Sequence, residues 1–299
     1  MKTVLVAGGS GFIGRQFCNR VASIGWQPIV YSRNPSAVAA KLPESVQIID
    51  GLDQLQNQPV DSLVNLAGEP IADKRWSEKR KAKISQSRIE TTQKLFEFFK
   101  GSNKAPSTVI SGSAIGYYGG GIANNQSVAE DGAVEPNFSH QLCSDWEQTA
   151  QQFEQLGARV CCLRTGIVLG ELGALSKLLP AFKLGLGGPI ATGKQWMPWI
   201  HIDDMVDIII YAIQQNINGP INCTAPPPVT NREFAKTLGA VLNRPACLTM
   251  PAPMVKLLFG QMGEELMLQG QRVIPKKLQQ HGFQFKYSDL HSALNQILK

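Results

Sequence analysis

The 299-residue chain, 43% hydrophobic and 17% charged with a net charge of +6, has the make-up of a globular protein large enough for one α/β domain, or for a nucleotide domain with a smaller companion. No apolar run approaches the roughly 18 to 20 residues of a membrane span; the richest, Val206 to Ile213, is broken by Asp207. Cysteines at 18, 143, 161, 162, 223 and 247 show no CxxC spacing, so a disulfide scaffold and a zinc cluster are both disfavoured, and buried reduced thiols in a cytoplasmic protein are expected.

The chain begins MKTVLVAGGSGFIGRQF. Thr3 to Gly8 is too short for a signal-peptide core and runs into a glycine turn, so it reads as a first strand. A helix follows from about Phe12. In such a unit the first glycine permits a tight turn, the second lets the backbone approach a pyrophosphate, and the third lets helix and strand pack closely. Gly8, Gly11 and Gly14 take these roles, and the helix N-terminus adds unpaired N–H groups and a positive dipole end. Gly8, Ser10, Gly11, Phe12, Ile13 and Gly14 are the expected dinucleotide contacts.

The second strand, QPIVYSR, ends in Ser32, Arg33 and Asn34, with no acid until Glu44. An NAD binder would place a carboxylate here for the ribose hydroxyls, whereas Arg33 suits a 2′-phosphate, so NADP(H) is the expected cofactor, with Ser32 and Arg33 touching it. The third strand ends in Ile48, Ile49 and Asp50, where the acid either reaches the adenine edge or is a plain turn residue. The fourth ends in Asn65, Leu66, Ala67 and Gly68, small enough for backbone to lie against ribose and phosphate.

Lys74, Arg75, Lys79, Arg80, Lys81, Lys83 and Arg88 then crowd into fifteen residues against Asp73 and Glu78 alone. They read as a solvated helix face or as attraction for an anionic cofactor or substrate, and Arg88 as a phosphate contact. No nucleic-acid recognition motif accompanies them, so no nucleic-acid or membrane partner is expected, only a small-molecule substrate. A helix ending TTQKLFEFFK and the strand STVISGSA complete a β-α-β repetition with short connections. That order predicts a doubly wound parallel sheet of Rossmann type with helices on both faces.

A helix around Cys143 to Leu156, the strand ARVCCLRTGIVLG, a helix from IHIDDMV and the strand GPINCTAP follow. After Pro226, Pro227 and Pro228 the texture changes, with Thr230 a candidate cap for a helix through NREFAKTLGAVL. The expected division is a nucleotide domain of residues 1–170 plus 201–225, and a smaller substrate-side lobe of 171–200 plus 226–299.

Together GGSGFIG, NLAG, SGSAIGYYG, LRTGIVLG and WIHIDDMV resemble the extended short-chain dehydrogenase/reductases, the sugar-nucleotide epimerases and their relatives. NLAGEPIADKRW with SRIETT, QWMPWIHIDDM and GEELMLQGQRVIPKKLQQHGFQF look like an atypical branch described as NAD(P)-binding epimerase-family proteins. The resemblance implies hydride exchange with a nicotinamide, assisted by a Tyr-x-x-x-Lys pair. No tyrosine here has that partner: Tyr31, Tyr117, Tyr118, Tyr211 and Tyr287 precede Pro35, Gly121, Ile122, Gln215 and His291 by four residues. In PNFSHQLCSDWEQ, Phe138 or Ser139 stands at the tyrosine's place and Leu142 or Cys143 at the lysine's, while Ser87 replaces an asparagine and Ser113 matches the family's serine.

Catalysis without that pair needs another acid/base. Ser113 reads as an orienter, Tyr117 or Tyr118 as a proton donor or as packing, and Glu69 as a base of raised pKa or as a turn cap. His201 offers a proton shuttle or fold support. Arg75 and Trp76 offer a cation and a ring face to substrate, and the stretch GLGGPIATGKQWMPW a wall over it or a structural loop. Two functions fit: an NADP(H)-dependent oxidoreductase or epimerase-like enzyme, and a non-catalytic NADP(H)-binding regulator.

Overall fold

The computed structural model describes residues 1–55, 58–102, 104–120 and 126–299. Seven strands, β1 (Thr3–Ala7), β2 (Gln27–Tyr31), β3 (Gln47–Ile49), β4 (Ser62–Asn65), β5 (Thr108–Ala114), β6 (Arg159–Thr165) and β7 (Gly219–Cys223), form one sheet. Their order is β7, β6, β5, β4, β1, β2, β3, and every neighbouring pair is parallel. This is the doubly wound Rossmann arrangement that the β-α-β repetition predicts. The winding reverses between β1 and β4, so the ligand crevice lies beyond the ends of those strands, where Ala7 pairs with both Tyr31 and Asn65.

Alternation along the strands sends side chains to two cores. Val4 and Val6 pack with Phe17 and Val21 of α1 (Phe12–Ser23) and with Met205, Ile208 and Ile209 of α6 (Ile202–Gln214). Leu5 joins Leu95, Phe96 and Phe99 of α3 (Glu78–Ser102) on the other face. Cys161 and Cys162 divide between the same two clusters, so neighbouring thiols point apart. Cys247 is exposed, which corrects the expectation that all six are buried: it lies outside both layers, in an irregular connection of the lobe.

On the face covered by α3, α4 (Phe138–Gln151), capped by the Asn137 side chain, packs beside α3 through Ala150, and the C-terminal part of the chain forms a lobe. The lobe has its own core, in which α5 (Ala174–Lys183), α7 (Asn231–Leu242) and the last helix, Leu290–Leu298, gather around Trp199, Phe234, Leu238 and Leu294. Thr230 caps α7 in a reciprocal box: its hydroxyl accepts from the Glu233 amide at 3.3 Å while the Glu233 carboxylate accepts from the Thr230 amide at 2.7 Å. The tail straddles the two bodies, because Leu278 and Phe283 are buried in the α1 and α6 core.

Candidate functional site

The glycine turn has a backbone that only glycine permits. Gly8 sits at φ +83°, and a Cβ there would come within 2.6 Å of the Leu66 carbonyl carbon and 2.7 Å of the Ala67 nitrogen. A Cβ on Gly14 would lie 2.3 Å from the Gly8 oxygen, so the third glycine brings α1 against the turn. The middle glycine differs: a Cβ on exposed Gly11 would meet only the Gly8 oxygen, at 3.3 Å. Gly11 caps α1 without a side-chain bond, and the first turn carries no acid, so N–H groups and the positive dipole end face outward beside exposed Ser10. Packing therefore requires Gly8 and Gly14, whereas the space beside Gly11 is open apart from the Gly8 oxygen.

Beyond β2, the Ser32 hydroxyl accepts from the Asn34 amide at 3.2 Å, and the Asn34 side chain caps the short helix α2 (Pro35–Ala39). Arg33 between them is exposed and has no hydrogen-bond or ion-pair partner among the described residues. Asp50 accepts from Gln54 at 2.6 Å, the plain turn contact of its two readings.

At the end of β4, Asn65 is buried and shapes the turn. It donates to the Thr92 hydroxyl at 2.9 Å and accepts from the Ala67 amide at 3.2 Å. Leu66, Ala67 and Gly68 thus approach the crevice by backbone alone. Arg88 lies under this turn, donating to the Glu69 carbonyl at 3.1 Å and stacking over Trp146, and a Cβ on Gly68 would come 2.8 Å from its guanidinium carbon. Ser87, at the asparagine's place, accepts from the Glu69 amide at 2.9 Å.

Glu69 carries no raised pKa. Arg80 donates to its carboxylate at 2.8 Å and Lys83 stands 3.1 Å away, and these two cations hold it below the usual carboxylate range. A pair of neighbouring cations stabilises the anion, so this carboxylate is a tether between turn and helix, which corrects its reading as a base. Part of the basic cluster is therefore internal: Arg80 and Lys83 on Glu69, Lys81 on Gln261 at 3.2 Å, and Arg75 on the Leu257 carbonyl at 3.1 Å. The last two contacts tie the start of α3 and the loop before it to residues 257–261.

The end of β5 is a buried polar network. The Ser113 hydroxyl donates to Glu147 at 2.7 Å, and Glu147 receives Nε and Nη2 of Arg164 at 2.9 Å each. Arg164 also donates to the Tyr118 hydroxyl at 3.0 Å, and that hydroxyl donates to Asn222 at 2.6 Å. Tyr118 is wholly buried, and burial pushes its phenol up to about 12. Its reading as a proton donor to substrate is therefore corrected: both sides of the hydroxyl are occupied by protein. Tyr117 is half-buried, with the Arg164 guanidinium 3.4 Å from its ring centre and His140 edge-on at 5.4 Å. Its hydroxyl has no hydrogen-bond partner among the described residues.

Of the residues expected at the family's Tyr and Lys places, Phe138 or Ser139 and Leu142 or Cys143, Ser139 and Cys143 share one face of α4. A Cβ on Gly116 would meet Ser139 Cβ at 3.2 Å and Cys143 Sγ at 3.6 Å, so both face the loop after β5. Burial pushes the Cys143 thiol up to about 11, which keeps it protonated. Ser139 donates to Glu265 at 2.6 Å, and its amide bonds the same oxygen at 3.0 Å. Glu265 belongs to the π-helical segment Glu264–Leu268, and nothing in GEELMLQG marked it in the sequence. Gln195, in the 185–199 stretch, donates to the Met267 carbonyl at 3.0 Å and so ties that stretch to the same segment.

His201 supports the fold. It is buried, accepts from the Asp203 amide at 3.1 Å, meets Gln296 at 2.8 Å and stacks on Tyr287 with centroids 3.9 Å apart; burial lowers its pKa. The Trp76 indole donates to the Ile71 carbonyl at 2.9 Å and packs edge-on against Phe138. Among the described residues no group of three or more His, Cys, Asp or Glu could hold a metal ion, and no helix is long and apolar enough to cross a membrane.

Residues 4–223 match the profile of the NAD dependent epimerase/dehydratase family, and residues 250–297 match a domain of unknown function, DUF1731. The chain is 36% identical to the epimerase family protein YfhF of Bacillus subtilis over 99% of its own length and 97% of that protein's. It is 38% identical to the epimerase family protein Mb2239 of Mycobacterium bovis, over 97% and 96% of the two lengths. Among solved structures, human epimerase family protein SDR39U1 (isoform 2) with NADPH superposes with a TM-score of 0.85 at 33% identity, covering 99% of this chain and 98% of that one. A nucleoside-diphosphate sugar epimerase from Corynebacterium glutamicum gives 0.79 at 30% identity; it covers 99% of this chain, which spans 58% of that longer one.

Proposed function

Because the chain belongs to the NAD dependent epimerase/dehydratase family, we propose that it is an NADP(H)-binding oxidoreductase or epimerase-like enzyme, cytoplasmic, acting on a small molecule with an acid/base group other than Tyr-x-x-x-Lys. The observation that carries the cofactor choice is Arg33, exposed and unpartnered among the described residues just past β2, where a carboxylate would repel a 2′-phosphate. The NADPH in the human relative's structure supports it.

When bound, the nicotinamide supplies hydride exchange. Gly8, Ser10, Gly11, Phe12, Ile13 and Gly14 would hold the diphosphate, Ser32 and Arg33 the 2′-phosphate, and the backbone of Asn65 to Gly68 the ribose. Arg88 would reach the crevice from beneath Gly68. Ser113 would orient the reacting group and Tyr117, with its free hydroxyl, would exchange the proton. The exposed cations Lys74 and Lys79 favour an anionic substrate.

Fluorescence titration with NADPH and NADH at fixed salt tests the cofactor reading: tighter NADPH binding, lost in Arg33→Ala, is expected, and equal affinities would refute it. A second reading, a regulator that reports cofactor state without turnover, draws on Ser139, one of the two residues expected at the family's tyrosine place, whose hydroxyl is bonded to Glu265 of the lobe. Loss of turnover with retained cofactor affinity in Tyr117→Phe supports the enzyme; a wild-type chain that binds NADPH and turns over no carbonyl or alcohol supports the regulator.

A further inference from the structure

We infer that residues 70–74 form a strap over the crevice, latched by the ion pair of Lys177 with Asp73, and that opening this latch limits how fast the dinucleotide enters and leaves. The inference rests on the cofactor reading above and deepens it from what binds to how the bound molecule is retained.

The contacts around the glycine turn close into a hoop. At its base a Cβ on Gly8 would come within 2.6 Å of Leu66 and 2.7 Å of Ala67, so the ends of β1 and β4 touch. From Gly8 the chain runs to Phe12, the first residue of α1. The Phe12 ring lies over two glycines before α5: a Cβ on Gly170 would come within 2.5 Å of it and one on Gly173 within 3.4 Å. One turn into α5, Lys177 donates to the Ala72 carbonyl at 3.3 Å and pairs with the Asp73 carboxylate. From Asp73 the chain leads back through Glu69 to Ala67, which completes the circuit.

The two arms rise on opposite faces of the sheet. Phe12 starts α1, which covers one face, and the strap leads from β4 into α3, which covers the other, so Lys177 and Asp73 meet above the strand ends. In the sheet order β1 and β4 stand between β2 and β5. A dinucleotide reaching from Arg33 beyond β2 to Ser113 at the end of β5 therefore passes through the hoop. Ser10 and Gly11 on one arm and Gly68 on the other are exposed, so solvent reaches them.

One link is weaker than the rest. Gly8 on Leu66 is backbone against backbone, and Phe12 on the two glycines is a ring in a fitted space, whereas Lys177 and Asp73 have side chains 54% and 47% exposed. Exposed ion pairs contribute little and break readily. The strap is anchored on both sides of the latch, at Glu69 by Arg80 and Lys83, and at Arg75 by the Leu257 carbonyl. With the latch broken, residues 70–74 can swing between these anchors without disturbing either core.

Stopped-flow release of bound NADPH, chased with excess NADP⁺ and read by nicotinamide fluorescence, tests the latch. Asp73→Asn and Lys177→Met should each release NADPH roughly 2- to 5-fold faster, the range an exposed ion pair sets. Entry should quicken with exit and leave the affinity little changed, which loss of a direct ligand contact would not do. Asp73→Asn decides, because two explanations have opposite signs there: removing a negative charge beside an anion slows its release, whereas opening the hoop speeds it. Exchanging the charges, with Asp73→Lys and Lys177→Asp together, re-forms the pair and should return release toward the wild-type rate. Release that is unchanged or slower in Asp73→Asn, or an exchanged pair as fast as Asp73→Asn, overturns the inference and leaves the cofactor reading standing. A wild-type chain that binds neither NADPH nor NADH overturns the cofactor reading, and the latch on a dinucleotide falls with it.

Discussion

The two sides of the crevice are made of different material. The side proposed for the cofactor is backbone: a glycine turn at φ +83°, a helix N-terminus without a side-chain cap, and a strand end whose buried polar side chain, Asn65, folds back on its own turn. The β5 side is made of side chains from remote parts of the sequence, with Ser113 on Glu147, Arg164 on Tyr118, Tyr118 on Asn222, and Ser139 on Glu265. A backbone cradle tolerates drift in its surroundings as long as the glycines stay. A side-chain network changes its chemistry with each substitution, and here Ser139 and Cys143 of α4 belong to a packed, hydrogen-bonded wall.

If the two sides are separable, the strongest perturbation of one should spare the other. Glu147→Ala leaves the Arg164 guanidinium buried without its counter-charge, a defect that costs roughly 3–5 kcal/mol. Urea unfolding should show that loss, while NADPH affinity measured where the variant is still folded stays near wild type. Loss of cofactor binding in the folded variant would mean that the network also shapes the cradle.

The reverse perturbation is Gly8→Ala. A Cβ at this position meets backbone atoms of Leu66 and Ala67, which cannot rotate aside, and a non-glycine residue at this φ adds strain of about 1–3 kcal/mol. Displacing the β4 end should weaken NADPH at least tenfold, with less effect on stability than Glu147→Ala. Unchanged NADPH affinity would detach the glycine turn from the cofactor.

This difference in material also explains what was legible in the sequence. The parallel sheet, the glycine turn, the Thr230 cap and the opposite faces of Cys161 and Cys162 follow from periodicity and local spacing, which a linear reading contains. Glu69 and Tyr118 each stayed open between two readings because their neighbours come from elsewhere. Arg80 and Lys83 reach Glu69 from the following helix, and Asn222 closes over the Tyr118 hydroxyl from the far edge of the sheet. Glu265 had no local signal, since its partner Ser139 lies 126 residues away. Ser113 was legible by resemblance, but its bond to Glu147, one helix away, was not.

Arg33 sharpens the comparison on the proposed cofactor side, where it is an exposed charged side chain in a site made mostly of backbone. One charge-assisted contact contributes roughly 1.5–3 kcal/mol, so Arg33→Ala should weaken NADPH tenfold or more and leave NADH unchanged. Raising the salt should narrow the gap between the two cofactors in the wild type, because an exposed guanidinium is screened. An equal fall for both would place Arg33 on the shared part of the dinucleotide.

The smallest effect is expected at Glu69, where the two materials meet. Its carboxylate is about a quarter exposed and ties the β4 turn to Arg80 and Lys83, so Glu69→Gln should cost at most about 1 kcal/mol at neutral pH. The sign of the pH dependence follows from the direction of the shift. Bonds from Arg80, then Lys83, lower the folded pKa beneath the unfolded value of about 4.3, so the carboxylate stabilises the fold fully above that value. The contribution disappears as pH falls through the folded pKa, where the proton neutralises the anion in both states. Wild type and Glu69→Gln should therefore differ in urea midpoint at pH 7 and converge in strong acid. A gap that widens toward acid would reverse the assignment and restore Glu69 as a carboxyl that binds its proton more tightly in the folded state, the property a base beside the nicotinamide would need.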